Sequence, residues 1–127
     1  MDLVVCGAHL EGMPLNHQLL ERGASLVRKT VTSSEYKLYA LNETPVRRPA
    51  LVRVGSEGVA IDVEVWRMPT SEFGSFIAGV ASPLGLGKVK LAEGEMVTGF
   101  ISEACATASA TDITHLGGWR AFVASEI

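Results

Sequence analysis

A short run of apolar residues, Leu3-Val4-Val5-Cys6, stops at Gly7 and gives way to a loop that holds a histidine, a second glycine and a proline, His9, Gly12 and Pro14. Four apolar residues in succession read as a buried strand, and the glycine permits the turn that ends it. Asn16 then stands where it would cap a short helix, with Leu15, Leu19 and Leu20 at helical spacing and Gly23 as its stop. A strand, a glycine turn and a helix start in this order leave backbone N–H groups pointing outward, ready for an anion. His9 lies at the edge of that nest, which makes this stretch the candidate site.

Further along, Ala24 to Thr32 is β-branched with roughly alternating polarity, and Tyr36 to Leu41 alternates again, so both are expected strands. Asn42 to Pro49 is too rich in proline and charge to pair centrally. Leu51 to Val54, a turn at Gly55-Ser56-Glu57-Gly58, and Val59 to Met68 predict a hairpin. In its second arm Ile61, Val63 and Val65 share one face and Asp62, Glu64 and Trp66 the other, a set that suits solvent or a polar cavity. Thr70 to Ile77 predicts a short helix capped by Thr70 or Ser71, Gly79 to Gly87 reads as irregular, and Lys88 to Leu91 with Glu95 to Ile101 predict a second hairpin. Ala104 to Ala110 permits a helix, while the segment from Trp119 is open between helix and strand. Short strands joined by hairpins, with two or three short helices, indicate an α+β domain built on a small, twisted, mostly antiparallel, barrel-like sheet.

No linker or composition shift divides residues 1–127, so a single domain is expected. Hydrophobic residues make up 47% and charged ones 20%, the balance of a soluble globular domain. No apolar run approaches the ~18 residues of a membrane span and no signal-type segment opens the chain, so a cytoplasmic location away from membranes is expected. A net charge of −3 with scattered basic residues gives no footprint for nucleic acid. Cys6 and Cys105 read as two buried thiols, and the spacing of His9, His17 and His115 gives no metal-site signal. No cofactor is indicated. His17 reads as a surface residue, His115 as part of a local turn, and Trp66 and Trp119 as core or cavity wall. Glu64 is the acid to watch, although an acid on a strand is more often solvated or paired with an arginine.

Gly7 to Leu19, Tyr36 to Leu41, Ile61 to Trp66, Phe73-Gly74-Ser75-Phe76, Pro83 to Gly87, and Asp112-Ile113-Thr114 with Gly117-Gly118-Trp119-Arg120 resemble the C-terminal domain of allophanate hydrolase nearly end to end. The opening segment and the Gly-Gly-Trp-Arg ending are specific together. That family resembles the γ-glutamylcyclotransferase fold, whose first strand-to-loop turn holds a substrate carboxylate on backbone N–H groups. The resemblance implies a role in urea breakdown, with this domain decarboxylating N-carboxycarbamate, a small dicarboxylate-like ligand, to carbamate. Losing CO₂ requires the nitrogen to gain a proton, and histidine, with an unperturbed pKa of ~6.5, is the side chain suited to supply it.

By the Gly-Ala-His-Leu match, the resemblance assigns that role of general acid to His9. The backbone at Gly7, Ala8, His9 and Leu10, the amides of Asn16 and Gln18, and Arg53 would hold the carboxylates, with Glu64 in the polar set. The sequence departs from the family in two respects. It carries no Ser-Ser-Lys amidase domain, so a separate amidase is implied as partner. It also has Glu72-Phe73-Gly74-Ser75-Phe76 where cyclotransferases carry Asp-x-x-Glu-Gly, which argues against cyclotransferase activity. A homo-oligomer is expected, and the alternative to an enzyme is a non-catalytic assembly subunit that uses an exposed apolar face to bind a separate amidase or its own copy.

Overall fold

The computed structural model describes residues 1–42 and 46–126; part of the expected Asn42 to Pro49 connection therefore lies outside the described residues. The strands are β1 (Asp2–Val5), β2 (Ser25–Val31), β3 (Tyr36–Ala40), β4 (Pro49–Arg53), β5 (Asp62–Arg67), β6 (Leu84–Lys90), β7 (Met96–Ser102) and β8 (Thr111–Asp112). The helices are α1 (His17–Leu20), α2 (Thr70–Ala78) and α3 (Trp119–Ser125), and 3₁₀ turns span Ala104–Ser109 and Thr114–Leu116. Thus the open C-terminal segment is a helix, and the alanine-rich stretch is a 3₁₀ turn.

One sheet has five strands in the order β2-β5-β1-β7-β6, and a second has three, β4-β3-β8. Every pairing is antiparallel except β1 with β7. At the centre, Leu3, Val4 and Val5 are at most 1% exposed, as a continuous apolar run flanked on both sides requires. Gly99 lets β7 approach, because a Cβ there would stand 2.7 Å from Val4 Cβ.

The expected barrel is not formed among the described residues. The edges of the five-stranded sheet meet at the bridge Thr32↔Leu91, where Ser33 N donates to Lys90 O at 2.9 Å and Ala92 N to Val31 O at 3.1 Å. Twist brings the edges together at that end without the continuous ladder that closure needs.

The expected hairpin between residues 51–54 and 59–68 is also corrected. β4 pairs with β3, whereas β5 inserts between β1 and β2. The intervening segment is tied to the start of β3: Val54 N and Gly55 N both donate to Glu35 O, and Val59 N donates to Tyr36 O. Its turn passes the chain from one sheet to the other. The middle of β5, Val63 to Trp66, is covered on both faces, so Glu64 and Trp66 are buried rather than facing solvent, while Asp62 at its start is exposed.

Three local expectations change. The segment read as irregular already pairs from Leu84, opposite Ser102. Pro69, not Thr70 or Ser71, precedes α2, and no side chain caps it. Cys105 is exposed on its 3₁₀ turn while Cys6 is buried. No helix among the described residues is long and apolar enough to cross a membrane.

Candidate functional site

Where β1 ends, the loop folds back on itself. Leu10 N donates to Gly7 O at 3.0 Å, Leu15 N to Ala8 O at 2.8 Å, and Asn16 Nδ2 to His9 O at 2.9 Å. Carbonyl and following N–H point in opposite directions across a trans peptide, so the first two bonds turn the amides of Ala8 and His9 away from the loop's own acceptors. Neither amide has a protein acceptor among the described residues. Gly7 is required by packing, since a Cβ there would lie 2.2 Å from Pro49 Cδ.

The cavity that opens here holds about 70 Å³. His9, Gly7, Ala8, Gln18, Arg48 and Phe100 are among its lining residues. The His9 ring stacks on Phe100, with centroids 5.1 Å apart and planes at 9°, and meets Phe76 edge-on at 5.3 Å. Its Nε2 is 2.8 Å from Gln18 Oε1. Burial holds the imidazole below the ordinary histidine range; Arg48 and His17 push the same way, and the Gln18 hydrogen bond opposes them. Cys6 at the cavity wall is an inert neutral thiol, its pKa pushed up to about 12 by burial.

Four residues expected to hold ligand sit elsewhere. The Leu10 amide is consumed by Gly7 O. Asn16 neither caps α1 nor faces the cavity, because its buried side chain holds the His9 carbonyl from behind. Arg53 is exposed on β4 and gives its guanidinium to Glu35, 2.9 Å away. Lys90, Ser33 and Arg53 together hold the Glu35 carboxyl at about 2.

Glu64, the fourth, is 1% exposed and fully engaged. Its Oε1 accepts from Glu11 N at 2.8 Å and Trp66 Nε1 at 3.0 Å, and its Oε2 accepts from Arg120 Nη2 at 2.8 Å. Burial raises its pKa, but those three donors outweigh burial and leave it below the usual carboxylate range. Arg120 also donates to Glu11 O at 2.7 Å. Glu64 and the Gly-Gly-Trp-Arg ending therefore clasp the far end of the opening loop, which is where the two segments of the resemblance converge.

Arg48, Phe76 and Phe100 were not singled out as site residues by sequence. The only signals for them were the Arg47-Arg48 pair ahead of Pro49 and the Phe73 to Phe76 motif. A loop amide pair, an arginine and an aromatic-clad histidine around a small cavity can bind a small anion and move one proton.

The chain is similar to known proteins along most of its length. The chain is 44% identical over 127 residues to urea amidolyase of Lachancea kluyveri, covering 97% of this chain and 7% of that protein. It is 41% identical to the structure of Kluyveromyces lactis allophanate hydrolase, with a TM-score of 0.95 over 99% of this chain and 21% of that one. It is 32% identical to a uropathogenic E. coli-specific protein, with a TM-score of 0.89 over 97% of this chain and 94% of that one. A γ-glutamyl cyclotransferase at 18% identity and a TM-score of 0.55 shares the fold alone. The chain thus spans about one-fourteenth of the length of the curated relatives it matches. Residues 1–124 match the allophanate hydrolase C-terminal domain, and the chain belongs to that family.

Proposed function

We propose that the chain binds a small dicarboxylate at the cavity beside His9 and, supplied by a separate amidase, decarboxylates N-carboxycarbamate or a related small acid. The reading is carried by the packing of His9 against Phe76 and Phe100, beside two amides with no protein acceptor among the described residues. A buried polar group without partners is costly unless a ligand or water completes it. The amides of Ala8 and His9 would take one carboxylate and Arg48 the other, and His9 would deliver a proton to the bridging nitrogen as its bond to the departing carboxyl carbon breaks. The aromatic walls strip water from the imidazole, so charge forming there acts at short range in a low dielectric.

Calorimetry with malonate, a stable compound with two carboxylates, tests the site. Wild type is expected to bind, and His9→Ala to lose at least about tenfold in affinity while remaining folded, since one ligand hydrogen bond to a charged group contributes about 1.5–3 kcal/mol. Equal affinity would remove His9 from the site. Mixed with an amidase that generates N-carboxycarbamate, wild type should speed CO₂ release and His9→Ala should not.

A further inference from the structure

A general acid must carry a proton, yet among the described residues the wall around His9 offers only the Gln18 hydrogen bond to keep one there. Besides the neutral Gln18 amide, the groups acting on it are Arg48 and His17, and both disfavour a positive charge on the ring. Cys6 is neutral, α2 and β7 present the Phe76 and Phe100 rings, and no carboxylate of the described residues lines the cavity. Arg22, 5.7 Å from the Phe76 centroid, adds another cation nearby. Gln18 is fixed at its main chain, its N–H donating to Leu15 O at 3.0 Å and its carbonyl accepting from Arg22 Nη1 at 3.0 Å. Its side-chain oxygen faces Nε2, and Nδ1 has no partner among the described residues. A neutral imidazole whose one N–H is engaged by an acceptor presents the other nitrogen as a bare lone pair.

We infer that Gln18 is a positioning residue: by holding the ring proton at Nε2 it leaves Nδ1 as acceptor, so the cavity takes a monoanion that retains one carboxyl proton. This rests on the decarboxylation reading above. The step balances with HOOC–NH–COO⁻ as ligand. Nδ1 removes the carboxyl proton and returns it to the bridging nitrogen; the bond from that nitrogen to the deprotonated carboxyl carbon breaks with its electron pair passing to nitrogen. CO₂ and H₂N–COO⁻ leave, and His9 is again neutral with its proton at Nε2. One nitrogen serves first as base and then as acid, and no outside proton is consumed.

Two measurements decide it. Ring ¹⁵N NMR of the wild-type protein near neutral pH should show Nε2–H with unprotonated Nδ1. Gln18→Leu should mix the tautomers, and Gln18→Glu, which keeps an acceptor at Nε2, should restore the Nε2–H form. Malonate calorimetry in buffers of different ionisation enthalpy should show uptake of about one proton per ligand bound above neutral pH, with affinity falling about tenfold per pH unit. In Gln18→Leu affinity should drop about tenfold, because the acceptor nitrogen is no longer fixed. A wild-type ring protonated at Nδ1 overturns the inference, as does binding without proton uptake and with an unchanged profile in Gln18→Leu. Should wild type fail to bind malonate, the carboxylate reading falls and the ligand's proton with it, while the ring spectra still decide whether Gln18 sets the tautomer.

Discussion

Two polar side chains meet the opening loop, Glu64 buried beneath it and His9 half-buried within it, and they are treated in opposite ways. Glu64 sits at one end of the loop with both oxygens engaged by three donors and its charge faced by Arg120. His9 sits at the other with one side-chain hydrogen bond and, among the described residues, no partner for its second ring nitrogen and no acceptor for the amides of Ala8 and His9. A polar group whose capacity is exhausted by the fold can only hold the fold, whereas one left incomplete at a cavity wall has something to offer a ligand. Sequence reading put both in one polar set, with His9 as the general acid; satisfaction of their bonding capacity separates them.

The largest effect that could break this contrast lies at the clasp. Glu64→Ala leaves the Trp66 indole and the Glu11 amide without acceptors at a cost of about 1–3 kcal/mol each, so urea unfolding should show a loss of several kcal/mol. A loss below about 1 kcal/mol would mean that the clasp is not structural. Next is Gly7→Ala, where the added methyl meets Pro49; overpacking of this kind costs about 1–3 kcal/mol. Thermal unfolding should report that loss, and malonate affinity should fall with it, because Pro49 forms part of the cavity wall.

Smaller is the pH dependence, whose sign differs at the two ends of the loop. The lowered His9 value makes its contribution full above the unfolded value of ~6.5 and lost as pH falls through the folded value. The lowered Glu64 value places its loss in a more acidic window, full above ~4.5 and lost as pH falls through the folded value. Stability measured from mildly acidic to neutral pH should therefore rise in wild type and flatten there in His9→Gln, with the acid-limb loss retained in both. The smallest effect is expected at Arg53→Ala, which breaks an exposed, solvent-screened ion pair on the other sheet and should leave thermal unfolding nearly unchanged. Malonate affinity should not change; a tenfold loss would restore Arg53 to the site.

Local patterning carried much of the fold. The apolar run into Gly7, the alternation of β2 and β3, and the β6–β7 hairpin across Gly94, whose φ is +94°, are all properties of neighbouring residues, and composition and period suffice to read them. The segment from Gly55 to Gly58 misled for the same reason. It looks like a hairpin turn because a turn is local, but its strands pair with β3 and with β1 and β2, and that choice depends on which distant surfaces bury Leu38, Leu51 and Val65 together.

By itself, the sequence determined the α+β class and an opening strand that ends in a glycine loop carrying His9, and, through the motifs at the two ends of the chain, the family. Only the tertiary structure decided that Arg48, Phe76 and Phe100 gather around His9 while Glu64 turns inward to Trp66 and Arg120. Those groups are brought together from positions tens of residues apart by burial of the core. A side chain's bonding capacity is filled or left open only once its distant neighbours are in place.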